Sequence, residues 1–188
     1  MTSLNIAFIG TATAVLDING INFITGPLFS LAGTEWDQGI IVLKAASAPA
    51  LSLADLPVID AVLLSHEDHP DTLDGLGRRL LDGRRVFTTR DGANKLAPRP
   101  GHLPGGECVG FVLSGPEFGQ ANRKPNGIYF SGDTVYMEEL TAVKDKFHIR
   151  VALLSLGAAS VPVSTRRCKS PWTHRIRWLK PGVETPII

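Results

Sequence analysis

Apolar and polar positions fall into short blocks separated by turn residues. Asn5–Ile9 is an apolar run that stops at Gly10. Thr13–Ile18 and Ile21–Thr25 flank Asn19-Gly20. Two apolar runs around Asn-Gly predict a hairpin, because both turn positions need positive φ and these residues tolerate it. Gly26-Pro27 closes that unit. Leu28–Gln38 reads as loop, Ile40–Ser47 as a short strand or helix, and the stretch bounded by Pro49 and Pro57 as a linker. Ile59–Leu64 reads as a strand of buried type and runs straight into Ser65–Asp71. Leu73, Leu76, Leu80 and Leu81 then recur at helical spacing, with Pro70 near the helix start and Gly83 as its stop. Arg85–Thr89 is the next strand, and Asp91–Gly106 reads as loop, with Pro98, Pro100 and Pro104 inside it. Cys108–Leu113 predicts a strand, Pro116–Gly127 a polar loop, Ile128–Ser131 a strand ending at Gly132-Asp133. Met137–Phe147 predicts a helix and Val151–Leu156 a buried strand. There are no repeats. Hairpins early and strand–helix alternation late predict a layered α/β (α+β) domain.

Composition narrows the class without naming a function. The chain has 188 residues, 44% of them apolar and 20% charged, which excludes wholesale disorder. No apolar run approaches the roughly 18 residues of a membrane-spanning helix, so no membrane partner is expected. Met1–Gly10 lacks a basic leader segment, and Cys108 and Cys168 make neither a CxxC pair nor a disulfide framework. A reduced, cytoplasmic setting is the expectation. The net charge of +1 hides an asymmetry. Residues 164–188 hold six basic groups (Arg166, Arg167, Lys169, Arg175, Arg177, Lys180) and one acid (Glu184), leaving 13 of the 19 basic and 17 of the 18 acidic groups to the rest. The expected division is therefore 1–163 and a basic, atypical 164–188.

His66–Asp71 places two His, two Asp and one Glu in six residues where an apolar strand meets a helix. Polar residues at the carboxyl end of a buried strand recur as sites in α/β sheets, and mixed imidazole and carboxylate suits Zn²⁺, Mn²⁺ or Fe²⁺. The plainer reading is a solvated loop whose acids cap the next helix. Two later features favour a metal. His102 sits in a turn-rich loop before a strand, and Asp133 ends a strand, where a carboxylate can bridge two ions.

These residues resemble the metallo-β-lactamase superfamily, in its lactonase-like branch related to ascorbate-phosphate lactonases, from about Asn5 to Val161. Phe8–Thr13 and Ile24-Thr25-Gly26-Pro27 resemble the first hairpin and its T-D-P turn. Leu63–His66 resembles the strand leading into the H-x-H-x-D-H loop, His102 the third-histidine position, and Tyr129–Thr134 the strand with the bridging aspartate. The resemblance implies an αββα sandwich, here incomplete, and hydrolysis of a lactone, ester or phosphoester by metal-activated water. It implies a divalent metal cofactor, zinc ahead of manganese or iron, and a small-molecule substrate. The metal-ligand candidates are His66, Asp68, His69, Asp71, His102 and Asp133, with Asp71 and Asp133 as the catalytic carboxylates.

The departures are specific. The loop reads S-H-E-D-H-P-D-T-L-D. Aligned forward from His66, the ligands are His66, Asp68 and Asp71; aligned backward from Asp71, His69 is the second histidine and Thr72 replaces the last. Either way one family ligand is lost. Gly26 replaces the family's aspartate, and the stretch from Thr89 to His102 is short. A second function class follows: a catalytically impaired remnant, or a binding protein retaining the fold.

The tail has its own explanation. In Arg167–Thr173, Trp-Thr (TGG-ACN) always contains GAC, and a shifted frame can read Pro-Leu-Gln-Ile-Thr-Met-Asp. Residues from about Ser164 are thus read as out of frame, poorly packed and unable to complete the sheet. That reading is preferred to a nucleic-acid-contacting arm with Trp172 and Trp178 as stacking groups. Other residues take structural readings: Cys108 in the core, His148 on the surface, Trp36 as a loop anchor, and Arg78, Arg79, Arg84 and Arg85 as a solvated face.

Overall fold

The computed structural model describes residues 2–39, 42–96, 108–133, 138–155, 182 and 184–186. The chain divides into two units, one built from Thr2–Cys108 with Leu179–Ile188, the other from Val109–Trp178.

The first unit starts with three antiparallel strands, β1 (Leu4–Gly10), β2 (Thr13–Ile18) and β3 (Ile21–Thr25). The Asn-Gly turn forms as expected: Ile18 pairs with Ile21, and Asn19 and Gly20 have φ of 54° and 85°. Residues 28–38 are not wholly loop, because β4 (Glu35–Asp37) pairs with β5 (Val42–Lys44). Trp36 faces Leu43 in that ribbon, and Lys44 bonds Glu35 at 2.8 Å. A short 3-10 turn at Leu53–Asp55 leads to β6 (Ala61–Leu63). Helix α1 (Gly75–Leu81) crosses to β7 (Arg85–Phe87).

Helix α1 begins later than Pro70 suggests. Its N-cap is Asp74, extended at φ −91° and ψ −178°, whose carboxylate accepts from the Gly77 N–H at 2.7 Å. The same buried carboxylate accepts from the Phe29 N–H (2.9 Å) and the Ser30 hydroxyl (2.5 Å). One side chain therefore caps the helix and ties it to the segment after Pro27. Residues 91–106 are corrected in part: Arg90–Leu96 forms helix α2. Leu96 is its one large apolar residue, so no apolar period announces it. Its signals are local: the Thr89 hydroxyl accepts from the Gly92 N–H (2.9 Å), and Asp91 pairs with Lys95 at i,i+4 (2.8 Å).

In the second unit β8 (Phe111–Ser114), β9 (Gln120–Ala121), β10 (Lys124–Phe130) and β11 (His148–Leu153) form a sheet of order β11-β10-β8, with β9 on β10. The β9–β10 turn uses Asn122 and Arg123 at φ 52° and 62°. Arginine is uncommon there, so the expected polar loop concealed a hairpin. The expected helix at 137–147 is a 3-10 turn, Glu138–Ala142, followed by α3 (Val143–Lys146). Phe111 and Phe130 stack with centroids 6.2 Å apart. His148 is half-buried rather than on the surface, its Nδ1 paired with Asn126 Oδ1 at 2.9 Å. Cys108 is exposed, not core: it precedes β8 instead of lying in it.

The last strand, β12 (Glu184–Pro186), returns to the first unit and pairs antiparallel with β1. The order of that sheet is β12-β1-β2-β3-β6-β7. Part of the basic tail thus extends a sheet it was expected not to complete. The 163/164 boundary, Trp172 and Trp178 lie outside the described residues. Below this sheet, Ile9, Val15, Ile24, Phe29, Ile59, Val62, Leu64, Leu73 and Leu80 pack into one buried cluster. Burying each large aliphatic or aromatic side chain contributes about 1.5–3 kcal/mol. Among the described residues no helix is long and apolar enough to cross a membrane.

Candidate metal centre

Strands β3, β6 and β7 run parallel, so their carboxyl ends meet on one edge of the first unit. Backbone bonds carry the pairing past the strand ends: Gly26 N–H to Leu63 O (3.2 Å) and Leu64 N–H to Phe87 O (2.9 Å). Three segments converge there: Thr25–Pro27, Ser65–Asp74, and Thr88–Thr89 leading into α2. Buried threonines hold the first. The Thr13 hydroxyl donates to Gly26 O (2.7 Å) and the Thr25 hydroxyl to Ala12 O (2.6 Å). Gly26 has φ +22°, and a Cβ there would lie 3.1 Å from both Ala12 Cβ and Thr72 Cγ2. Thr72 and Ala12 thus press against Gly26, leaving little room for a side chain there.

His66 is 3% exposed. Its Nδ1 pairs with the Ser65 hydroxyl at 2.9 Å and its Nε2 with the Thr72 hydroxyl at 3.1 Å. His69 is exposed, its ring edge-on to His66 with centroids 4.9 Å apart. A tight turn follows, with the Thr72 and Leu73 N–H groups donating to His69 O at 3.0 and 3.1 Å. Asp68 and Asp71 are half-buried. Asp71 Oδ1 is fully buried and accepts no hydrogen bond among the described residues, an arrangement that costs stability unless something else engages it. The stretch therefore brings two imidazoles and two carboxylates onto one turn after β6. The donors fit a divalent ion of borderline or hard character: imidazole nitrogen and carboxylate oxygen, one oxygen orphaned in the interior. The hydroxyls of Ser65 and Thr72 fix the His66 ring from both nitrogens, so an ion bound there would displace one of them, leaving the other as the kind of outer partner that orients a ligating histidine.

Glu67 lies between two of the expected ligands, His66 and Asp68. Its side chain is 3% exposed, and Lys95 Nζ lies 3.1 Å from its Oε1. Asp91, first, and Glu67, second, hold the Lys95 ammonium protonated well above the ordinary lysine range. The Glu67 carbonyl accepts from the Arg78 guanidinium at 3.0 Å. Arg84 likewise donates to Ile59 O (3.2 Å) and Leu80 O (2.8 Å). Two of the four arginines read as a solvated face are therefore backbone clamps.

In the second unit Asp133 follows β10 and is exposed. The Ser131 N–H donates to Leu153 O (2.9 Å) and its hydroxyl accepts from the Ser155 N–H (3.1 Å), which fixes the strand end just before Asp133. His102 lies outside the described residues.

Comparison with known proteins locates this architecture. The structure resembles an isothiocyanate hydrolase from Delia radicum gut bacteria, with a TM-score of 0.63, 19% identity, and coverage of 87% of this chain and 75% of that one. It also resembles Igni18, a metallo hydrolase of the archaeon Ignicoccus hospitalis KIN4/I, at a TM-score of 0.51, 14% identity, and coverage of 80% and 69%. The fold is metallo-β-lactamase-like, a mixed α/β arrangement of sheets with few helices. In sequence, 71 residues are 37% identical to the uncharacterized proteins Rv0906 of Mycobacterium tuberculosis and Mb0930 of Mycobacterium bovis. That match covers 38% of this chain and 18% of the length of those relatives. No protein-family model matches.

Proposed function

We propose that the chain is a metal-dependent hydrolase acting on a small molecule with a lactone, ester or phosphoester bond, in a cytoplasmic setting and without a nucleic-acid partner. The observation that carries this reading is the Ser65–Asp71 turn at the carboxyl end of β6, with His66 buried beside two hydroxyls and Asp71 Oδ1 buried without a hydrogen-bond partner among the described residues. His66 and His69 would supply imidazoles, and Asp68 and Asp71 carboxylates, to a divalent ion, zinc ahead of manganese or iron; the family resemblance adds His102 and Asp133. The bound ion supplies Lewis acidity toward water and the scissile group. The protein's part is positional. The Asp71 carboxylate accepts a proton or hydrogen bond, the Thr72 hydroxyl holds the His66 ring, and Pro27 and Leu73 keep the base of the turn dry.

One observation favours the second reading, an impaired remnant that only binds. Thr72 stands where the backward alignment puts a histidine, and its hydroxyl occupies His66 Nε2. One experiment separates the two. The protein purified from metal-replete medium is assayed for bound metal and against a panel of lactones, aryl esters, phosphoesters and, from the neighbour's substrate, an isothiocyanate. A hydrolase gives stoichiometric metal and turnover abolished by chelation and restored by zinc or manganese. Metal without turnover supports the remnant, and neither overturns the metal reading.

A further inference from the structure

The Glu67–Lys95 pair belongs to no ligand set, yet it sits against the centre of the ligand stretch. Both Glu67 carboxylate oxygens and Lys95 Nζ are buried, and neither oxygen meets a hydrogen-bond donor in good geometry among the described residues. The ion pair to Lys95, at 3.1 Å, is what compensates the carboxylate. Lys95 is anchored from its own helix by Asp91 at 2.8 Å. Helix α2 lies directly on the carboxylate: a Cβ on Gly92 would come within 3.0 Å of Glu67 Oε2 and 2.6 Å of Thr88 Oγ1. From the other side, Arg78 of α1 grips the Glu67 carbonyl. Glu67 is thus held at its side chain by one helix and at its main chain by another, with His66 on one side and Asp68 on the other. A buried charge of this kind is a poor source of net stability, because desolvation offsets the attraction. Its better-attested use is to fix a single arrangement.

We propose that Lys95 is a positioning residue of the metal centre: through its buried ion pair with Glu67 it locks the His66–Asp68 backbone so that the His66 ring is presented in one orientation. This rests on the reading of the turn as a metal site. The sign of the effect separates positioning from charge. Removing a nearby cation should, by Coulomb attraction alone, raise the affinity of the turn for a divalent ion. Loss of positioning should lower it, by about the 10–100-fold typical when an orienting partner of a ligand is removed.

The test is zinc affinity, measured by competition with a chromophoric chelator, alongside nuclear Overhauser contacts between the His66 ring and the Thr72 side chain in metal-free protein. Lys95→Met should lose about 10–100-fold in affinity and lose those contacts, while Lys95→Arg keeps both. Unchanged or tighter zinc binding in folded Lys95→Met, with the contacts intact, overturns the proposal. If Lys95→Met does not fold, Glu67→Gln/Lys95→Met carries no buried charge and replaces it. The same loss of zinc affinity in that pair supports positioning, and wild-type affinity refutes it. Should the wild-type protein bind no zinc, manganese or iron, the hydrolase reading fails by itself. The metal-free contacts then decide: their loss in Lys95→Met upholds the lock on His66, and their persistence removes it.

Discussion

Gly77→Ala adds one methyl group at the tightest backbone approach in the first unit. A Cβ on Gly77 would overlap the Pro27 carbonyl oxygen and lie 2.8 Å from the Pro27 carbonyl carbon, inside the 3.0 Å that Cβ atoms essentially never cross. Nothing flexible stands on the other side, since the obstacle is main chain. To make room, α1 must lift from the segment after Pro27. Asp74 opposes that movement, because its carboxylate binds the helix start at Gly77 and the other segment at Phe29 and Ser30. Overpacking of this kind costs about 1–3 kcal/mol, and losing one charge-assisted hydrogen bond about 1.5–3 kcal/mol more. Alanine returns about 1 kcal/mol of helix propensity. The net expectation is a loss of about 1.5–5 kcal/mol. Urea denaturation followed by circular dichroism measures it, with Gly75→Ala as control: that position is helical, exposed and has nothing within 4 Å. A Gly77→Ala protein as stable as wild type, or shifted no further than the control, would refute the reasoning.

His66→Ala should abolish zinc retention after dialysis while leaving a folded protein, and elemental analysis reads it; a stoichiometric ion in that variant would move the centre elsewhere. Gly20→Ala meets no neighbour but keeps φ at +85°, so it should destabilise by about 1 kcal/mol through backbone strain alone, with unchanged spectra. The raised Lys95 value has a defined pH signature. A group raised on folding contributes fully below its unfolded value, about 10.4 for lysine, and loses that contribution only as pH climbs through the folded value. The stability gap between wild type and Lys95→Met should stay flat from about pH 7 to about pH 10 and close above it. A gap already shrinking near pH 8 would mean that another group governs it.

The first sheet was largely legible. Asn19-Gly20 announces its own turn, and Val62, Leu63 and Leu64 form an unbroken apolar run buried at every position, the pattern of a strand covered on both faces. The His66–Asp71 turn stood out as well, because ionisable residues directly follow a buried strand. Elements without an apolar period stayed hidden. Helix α2 is polar apart from Leu96, and the β9–β10 turn rests on an arginine at positive φ. Missing α2 also hid Lys95. The i,i+4 spacing of Asp91 and Lys95 was readable, but it carries meaning only on a helix. The buried partner Glu67 lies 28 positions earlier in sequence, and only the parallel placement of β6 beside β7 brings the two together. Asp74 was obscured by Pro70, a plausible helix starter four residues too early.

The pairing of β12 with β1 joins strands from opposite ends of the sequence. During synthesis β1, β2 and β3 emerge first and can associate at once, since each pairs with its sequence neighbour. The outer edge of β1 then stays bare until residues 184–186 have left the ribosome. Closing so distant a contact is among the slowest steps available to a chain of this kind. The nascent protein therefore carries a growing sheet with an open flank until β12 emerges, the interval in which an edge strand recruits a neighbouring chain. Ribosome-associated chaperones should matter more to its yield than to the stability of the finished molecule. Slowing elongation over the codons just before residues 184–186 should lower the soluble fraction without changing the melting temperature of what survives.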